Sequence, residues 1–211
     1  MSLIDDANRR NKIDGRGPRV ASPRTRATDM SDPAALLRPA TPADIPAVRA
    51  IYADAVLNGC ASFELDPPDA AEMAARMAKV SEAGLPWLVA EIDGRVLGYA
   101  YAGVYRPRPA YRFTVENSVY VDPAAKGRGL GRMLLAALIE ATTALGYRQM
   151  LAVIGDSGNA ASIGLHAALG FSHAGLLPSV GWKHGRWLDS VLMQRPLGEG
   201  DTTPPVRDPL R

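Results

Sequence analysis

The stretch ENSVYVDPAAKGRGLGRMLL, residues 116–135, decides the fold of this chain. It begins as a β-prone run, passes through a basic glycine loop and continues as an amphipathic helix. Glycines alternate with basic residues where the helix begins, so bare backbone N–H groups and the positive helix end can face a phosphorylated ligand. The loop therefore predicts a pyrophosphate site. Its predicted contacts are Lys126, Gly127, Arg128, Gly129, Leu130, Gly131 and Arg132.

The spacing of these glycines separates the possible classes of anion-binding loop. A dinucleotide fold requires Gly-x-Gly-x-x-Gly, but Gly129 is followed two residues later by Gly131, so the register fails. A Walker A loop fails too, because no Gly-Lys-Ser/Thr follows. The pattern that fits is Val-x-x-x-x-basic-Gly-x-Gly-x-Gly after a strand, which residues 121–131 supply.

Composition predicts one ordinary domain between two tails. The chain has 211 residues, 47% of them hydrophobic, which suits a single substantial core. Residues 1–33 are basic and poor in large apolar side chains and are expected to be a disordered N-terminal extension. Residues 34–197 form the predicted domain, and residues 198–211, rich in Pro and charge, form a predicted flexible tail.

Charge and cysteine content argue against several classes of protein. The tail at residues 1–33 accounts for the net charge of +2, since the remaining chain has 17 basic and 17 acidic side chains. Nucleic-acid binding is therefore not expected. Cys60 is the only cysteine, which excludes a disulfide framework and favours the reducing cytoplasm. No apolar stretch resembles a signal peptide or a membrane span, so no membrane association is expected.

Hydrophobic periodicity predicts a mixed α/β (α+β) fold in which helices flank a sheet. Asp93-Gly94 between two apolar runs predicts a β-hairpin. The predicted helices run from about residue 42 to 57, from about 68 to 84, from the glycine loop to Gly146 and from residue 159 to 169. The predicted strands cover residues 35–38, 87–92, 95–105, 113–121, 149–154, 171–181 and 186–194.

Glu116 is the first candidate catalytic residue. Alternation along the strand at residues 113–121 places Glu116, Ser118 and Tyr120 on one face. A carboxylate among apolar residues is costly to bury. Two interpretations stand side by side: Glu116 forms a structural ion pair with Arg112, or it accepts a proton from a reacting amine, directly or through water.

Further candidates lie on a helix and a loop. His166 follows the buried strand ending at Ile154 and titrates near neutrality, which suits proton transfer, although a lone helical histidine is usually structural. His173 and His184 lack metal spacing with it, so no metal site is expected. Arg112, at the end of the basic aromatic loop at residues 105–112, can hold a carboxylate in a bidentate geometry.

Several separated motifs in one order resemble one group of enzymes. They are PWLVAE at 86–91, AYAG at 100–103, TVENSVYV at 114–121, LHAALGF at 165–171 and GWKHGRWLD at 181–189. With the glycine loop, they make residues 36–196 similar to the phosphinothricin and methionine sulfoximine N-acetyltransferases of the GNAT superfamily. That fold is a mixed central sheet of about seven strands flanked by four or so helices.

The resemblance implies an acetyl-CoA-dependent N-acetyltransferase that uses no metal. The implied acceptor is the α-amine of methionine sulfoximine, methionine sulfone or phosphinothricin, giving antibiotic or herbicide detoxification by a cytoplasmic homodimer. Glu116 matches the base and His166 the acid that protonates the leaving thiolate. Further matches are Val119, Tyr120, Val121 and Asn159 for the coenzyme, and Phe63, Tyr111 and Arg112 for the acceptor.

Alternatives to this interpretation remain open on sequence alone. Arg112 stands where the herbicide-resistance enzymes often have an acidic residue, which favours a methionine sulfoximine or sulfone acceptor. Phe63 fits equally as a core aromatic residue. Within the same fold the acceptor could be a protein N-terminus, a polyamine or an aminoglycoside. From another class, the chain could be a non-catalytic CoA-binding regulatory module, and the basic tail leaves a nucleic-acid binder as a third alternative.

Overall fold

The computed structural model describes residues 34–206 and 208–209, in which a seven-stranded mixed sheet is flanked by four α-helices. This confirms the predicted fold class. The elements in chain order are β1 (Leu36–Pro39), α1 (Ile45–Asn58), α2 (Ala70–Glu82), β2 (Trp87–Ile92), β3 (Arg95–Val104), β4 (Thr114–Val121), α3 (Leu130–Ala144), β5 (Gln149–Gly155), α4 (Ala160–Ala168), β6 (Ser172–Lys183) and β7 (Arg186–Pro196).

The sheet has the strand order β1-β2-β3-β4-β5-β7-β6, and among the described residues only β4 and β5 pair in parallel. Their pairing joins residues 114–116 to residues 149–151 and stops there. Each strand remains paired with its other neighbour: β4 pairs with β3 as far as Val121, and β5 pairs with β7 as far as Gly155. The two strands therefore part beyond Glu116 and open a slot in the middle of the sheet.

Two apolar clusters cover the two faces of the sheet. One contains the α3 stripe, in which Leu130, Leu134, Leu135 and Leu138 are at most 2% exposed, as the helical periodicity predicted. The other packs α1 and α2 against β2 and β3 and buries Met73 and Met77. The part of the sheet around β3 and β4 is thus covered on both faces, whereas nearly all of β6 is exposed.

Local signals predicted most element boundaries. Asp93 and Gly94 have φ angles of 51° and 74°, as a two-residue hairpin turn between β2 and β3 requires. The predicted helix start at Thr41-Pro42 is a 3₁₀ turn, and α1 follows at Ile45. The Thr41 backbone N–H donates to the Asp44 carboxylate at 2.8 Å, and two Arg38 N–H groups donate to its two oxygens. Arg38 holds the pKa of Asp44 at about 2.

Both ends of the chain lie partly outside the described residues. The predicted extension at residues 1–33 is one such part, so its disorder and the boundary at residue 34 stay predictions. The flexibility predicted from residue 198 onward also stays a prediction, although Arg148 donates there to the Thr203 carbonyl at 2.6 Å. Within the part of the chain that the structure describes, none of the helices has the length and apolar character that crossing a bilayer needs.

Candidate functional site

The glycine loop lines a cleft of about 940 Å³ between α1, β4 and α4. Gly127 and Gly129 both have φ near 80°, a left-handed conformation that strains any residue with a Cβ atom, and Arg128 lies between them. Gly129 caps the start of α3, so the first N–H groups of that helix have no acceptor within the helix. The cleft is lined here by Val119, Tyr120, Val121, Lys126, Gly127, Gly129, Leu130, Gly131 and Arg132.

A narrow cavity of about 50 Å³ occupies the slot where β4 and β5 part. Asn117 to Tyr120 of β4, Ala152 to Gly155 of β5 and three residues of the α4 region line it. The β4 edge that faces the slot has no strand partner after Glu116, while β3 pairs with the opposite edge. Its backbone polar groups are therefore available to an extended ligand that lies in the slot.

Asn159 joins the end of β5 to the start of α4. Its side-chain oxygen accepts from the Ser162 N–H at 3.2 Å, and its Nδ2 donates to the Gly155 carbonyl at 3.1 Å. The residue lines both the cleft and the slot. The structure thus gives Asn159 a helix-capping role at the place where a coenzyme contact is predicted.

Glu116 is half-buried on β4, one residue before the stretch that lines the slot. No hydrogen bond or ion pair to another described residue satisfies its carboxylate. Burial disfavours the charged form and raises its pKa above the ordinary value for glutamate. An unpartnered carboxylate with a raised pKa can accept a proton near neutral pH.

Arg112 does not form the ion pair with Glu116 that one interpretation required, and that interpretation is wrong. The Arg112 Nε lies 3.5 Å from Asp208 Oδ2, and the guanidinium stacks over the Phe113 ring at 4.4 Å. Local sequence could not reveal this partner, because Asp208 lies almost 100 residues along the chain. The predicted contacts of Arg112 and Tyr111 with an acceptor stay predictions; Tyr111 is 39% exposed and packs edge-to-face on Tyr105.

His166 is 4% exposed and projects from α4 into the slot. Its Nδ1 lies 2.8 Å from the Ser162 carbonyl oxygen, and its Nε2 lies 3.0 Å from Asn117 Oδ1. Burial lowers the pKa of His166, and the hydrogen bond to the Ser162 carbonyl acts in the opposite direction. The imidazole is therefore rigidly oriented between α4 and β4.

Asn117 is a site residue that the sequence reasoning missed. It is 6% exposed and shares the strand face of Val115 and Val119. A signal was present, because a polar side chain on an otherwise apolar face requires a buried partner. The identity of that partner, His166, depends on tertiary structure.

The segment between α1 and α2 forms a roof, residues 59–64, over this end of the sheet. The Phe63 ring lies against two glycines, since a Cβ built on Gly155 or on Gly181 would come within 2.5 Å of it. Phe63 is 38% exposed, so its side chain is only partly buried in the core. Its predicted contact with an acceptor stays a prediction.

The roof is tied down by the β6–β7 hairpin and by α1. The buried Lys183 ammonium donates to the Ser62 carbonyl at 2.6 Å, and His184 Nε2 lies 3.2 Å from the Gly59 carbonyl. The Tyr52 hydroxyl bonds the Ser62 hydroxyl at 2.8 Å. The two contacts from the hairpin join parts of the sequence more than 100 residues apart, and no local pattern indicated them.

The described residues contain no group of three or more His, Cys, Asp or Glu side chains that could hold a metal ion. His173 and His184 both lie in the β6–β7 hairpin, whereas His166 lies on α4. The arrangement offers instead an anion-binding loop, a slot with free strand backbone, a carboxylate and an imidazole.

Comparison with known proteins agrees with this geometry. The model of the acetyltransferase (GNAT) family matches residues 48–171. A phosphinothricin N-acetyltransferase from Alcaligenes faecalis is 63% identical over 162 residues, covering 77% of this chain and 82% of that protein. An L-methionine sulfoximine/L-methionine sulfone acetyltransferase from Pseudomonas paraeruginosa is 48% identical over 171 residues, covering 81% and 99%.

A solved structure has the same fold. The phosphinothricin acetyltransferase from Sinorhizobium meliloti, in complex with AcCoA, superposes with a TM-score of 0.80 at 50% identity. The match covers 82% of this chain and 94% of that one. The relatives therefore match nearly the whole described domain.

The packing of Phe63 on Gly181 gives a test of the roof. Gly181→Ala places a methyl group within 2.5 Å of the Phe63 ring, so we expect the melting temperature to fall by about 5 °C from overpacking. In Gly175→Ala, on the same strand, the new methyl group meets only Leu192 Cδ1, at 3.7 Å. This substitution should leave the melting temperature nearly unchanged. Thermal unfolding followed by circular dichroism measures both.

The same packing also predicts non-additivity. In a Phe63→Ala background the methyl group introduced by Gly181→Ala has no ring to meet, so the cost of that substitution should largely vanish. An equal loss in both backgrounds would show that Phe63 does not pack where the structure places it.

Proposed function

Because this chain belongs to the acetyltransferase (GNAT) family, we propose that it transfers acetyl from acetyl-CoA to the α-amine of a small amino-acid analogue. The proposed acceptors are methionine sulfoximine, methionine sulfone and phosphinothricin, because the relatives described above carry those names. The observation that carries the chemistry is Glu116, a half-buried carboxylate without a partner among the described residues, on the strand that leads into the anion-binding loop.

The features of the cleft support acetyl-CoA as the donor. We assign the pyrophosphate to the loop from Lys126 to Arg132, where glycine N–H groups, basic side chains and a helix start come together. We assign the pantetheine arm to the slot, where the backbone of Val119, Tyr120 and Val121 lacks a strand partner on one edge. Asn159, at the meeting of cleft and slot, would contact the arm near the thiol.

The proposed reaction is direct transfer without a covalent enzyme intermediate. Glu116, directly or through water, removes a proton from the acceptor ammonium, so that a neutral nitrogen attacks the thioester carbonyl. A strand N–H near Val119 stabilises the negative charge that develops on the carbonyl oxygen. As the tetrahedral adduct collapses, the nitrogen loses its second proton to solvent, and His166, which lines the slot, protonates the departing thiolate.

Acetylation would also explain a protective role. The α-ammonium is one of the groups by which such analogues imitate an amino acid, and an amide at that position carries no charge. We therefore propose that the reaction detoxifies an antibiotic or herbicide of this class, in the cytoplasm.

The exposed face of the β6–β7 hairpin supports a dimer of this chain. Leu176, Leu177, Val180, Trp182 and Trp187 are 47% to 60% exposed, and β6 is an edge strand of the sheet. Large exposed apolar side chains concentrated on one hairpin mark an interaction surface, and an edge strand offers unpaired backbone. We propose that a second copy of the chain covers it.

The acceptor class is tested by a thiol-release assay with acetyl-CoA. We expect methionine sulfoximine, methionine sulfone and phosphinothricin to be acetylated with a kcat/KM at least about 10²-fold above that for a polyamine, an aminoglycoside and a peptide N-terminus. Preference for one of the latter would overturn the proposed acceptor. Tight acetyl-CoA binding without transfer to any amine would support a regulatory module instead.

Glu116→Gln tests the base. It keeps the size of the side chain but cannot take the proton, so turnover should fall by about 10²-fold or more while acetyl-CoA affinity stays within about twofold. Glu140→Gln, on the exposed face of α3, is the matched control and should behave as the wild type.

The pH profile supplies the second readout. A base must be deprotonated, and burial raises the pKa of Glu116, so wild-type kcat should fall as pH drops through that raised value. The acid limb should disappear from the residual activity of Glu116→Gln. Near-normal turnover in this variant would remove Glu116 from the base role.

The proposed dimer is tested by introducing a charge on the apolar surface of the β6–β7 hairpin. Trp182→Glu puts a carboxylate on the apolar surface and should convert a species of twice the 22.4 kDa chain mass into one of that mass. Leu36→Glu, on β1 at the opposite edge of the sheet and 57% exposed, is the control. Analytical ultracentrifugation measures both, and a monomeric wild type would contradict the proposal.

A further inference from the structure

The side chain of Asn117 bridges the two strands just beyond the point where their pairing ends. Its Nδ2 donates to the Leu151 carbonyl oxygen of β5 at 2.9 Å, one residue past the Glu116–Leu151 register pair. A carbonyl oxygen can only accept a hydrogen bond, so the amide nitrogen must point toward Leu151. The amide oxygen of Asn117 is thereby turned to the other side, toward His166.

His166 consequently faces an acceptor at each ring nitrogen. Asn117 Oδ1 lies 3.0 Å from Nε2, and the Ser162 carbonyl oxygen lies 2.8 Å from Nδ1. A neutral imidazole has one N–H group, so either tautomer would leave a nitrogen lone pair facing the oxygen lone pair of one of these two contacts. The Ser162 hydroxyl can donate to Nδ1, but at 3.5 Å it is farther from that nitrogen than the carbonyl oxygen. Only the imidazolium cation, with two N–H groups, satisfies both of the shorter contacts.

We propose that Asn117 is a positioning residue that holds His166 as the imidazolium, with the Nε2 proton fixed at the wall of the slot. Asn117 and His166 are 6% and 4% exposed, so water does not readily replace either contact. The Leu151 carbonyl fixes the direction of the amide, and the amide fixes the charge of the ring.

The groups around the His166 ring determine which protonation state its surroundings favour. The groups recorded against the imidazole are Ser162 on its own helix, Asn117 on β4 and the Phe171 ring, packed edge-to-face at 5.0 Å. None of the three is charged. Burial lowers the pKa of His166 and outweighs the opposing hydrogen bond to the Ser162 carbonyl, so the contact with Asn117 Oδ1 must supply what favours the cation.

This inference rests on the proposed function for its role in turnover. As the thioester carbon–sulfur bond breaks, its electron pair stays on sulfur. The His166 N–H bond then breaks, its electron pair stays on Nε2 and an S–H bond forms. The neutral ring is left facing two acceptors, which favours its rapid reprotonation. The acceptor nitrogen loses two protons in the reaction, one to Glu116 before attack and one as the tetrahedral adduct collapses to the amide. One of them balances the proton that His166 gives to sulfur, and the other is released to solvent.

Two substitutions at Asn117 should move the His166 titration in opposite directions. Asn117→Leu removes the acceptor at similar size, so the imidazolium should be lost at lower pH than in the wild type. Asn117→Asp keeps an acceptor and adds negative charge, so the imidazolium should persist to higher pH. A residue that only packs would not give shifts of opposite sign.

The titration is followed by NMR of histidine labelled with ¹³C and ¹⁵N. The chain has three histidines, and His166→Asn identifies the signal of interest. In the wild type at pH 7 both ring nitrogens of His166 should show the ¹⁵N shifts of protonated sites. A neutral His166 in the wild type would overturn the proposal, even if both Asn117 variants failed to fold.

The control is Thr142→Val, which removes a fully buried hydroxyl that bonds the Leu138 carbonyl on α3. It costs a buried hydrogen bond elsewhere and should leave the His166 titration unchanged. Equal shifts in this control and in Asn117→Leu would overturn the proposal, because general destabilisation would then explain both.

Kinetics with a competent acceptor give the second readout. An acid must be protonated, so the alkaline limb of the kcat profile should move to lower pH in Asn117→Leu and to higher pH in Asn117→Asp. At the pH of half-maximal wild-type rate on that limb, kcat of Asn117→Leu should be about tenfold lower. NMR shifts in the expected directions without any acetyl transfer would leave the Asn117 assignment standing and overturn the proposed function.

Discussion

The end of pairing between β4 and β5 is the constraint on which the rest of the structure depends. Two neighbouring strands that part inside a buried sheet leave backbone donors and acceptors without partners, at a cost of about 1–3 kcal/mol for each buried group. The unpaired backbone groups of β4 and β5 obtain partners in two ways. The Asn117 side chain satisfies Leu151 at the start of the slot, and the free edge from Val119 to Val121 is left for a ligand. Binding a molecule with amides along its length would complete the sheet.

The same slot explains why two titratable groups sit in contrasting surroundings. Burial favours the neutral form of both Glu116 and His166, which raises the pKa of the carboxylic acid and lowers that of the imidazole. The carboxylate has no hydrogen-bond partner among the described residues, so burial acts on it unopposed. The imidazole has an acceptor at each nitrogen, so burial is opposed. Two groups on neighbouring elements are thereby suited to accept and to donate a proton in one pH range.

Sequence predicted the parts of the molecule whose causes are local. The Asp93-Gly94 turn, the leucine stripe of α3 and the glycine loop each depend on residues within one or two turns of chain. The residues around the catalytic candidates depend on contacts across the fold. An ion pair between Arg112 and Glu116 was one of two interpretations of Glu116, yet the carboxylate that Arg112 meets is that of Asp208. Asn117 was overlooked because its partners, Leu151 and His166, come from two other elements.

The β6–β7 hairpin links the proposed acceptor end of the site to the proposed dimer face. Lys183 and His184, at the turn of the hairpin, hold the backbone of the roof through Ser62 and Gly59, while Trp182 and Trp187 project outward on the same hairpin. Burial lowers the pKa of Lys183, because the ammonium loses its water while it donates to one carbonyl. A second copy packed on the exposed tryptophans would order the hairpin that carries this lysine. Because Phe63 lies against Gly181 of β6, assembly and the shape of the acceptor pocket would then depend on the same strand.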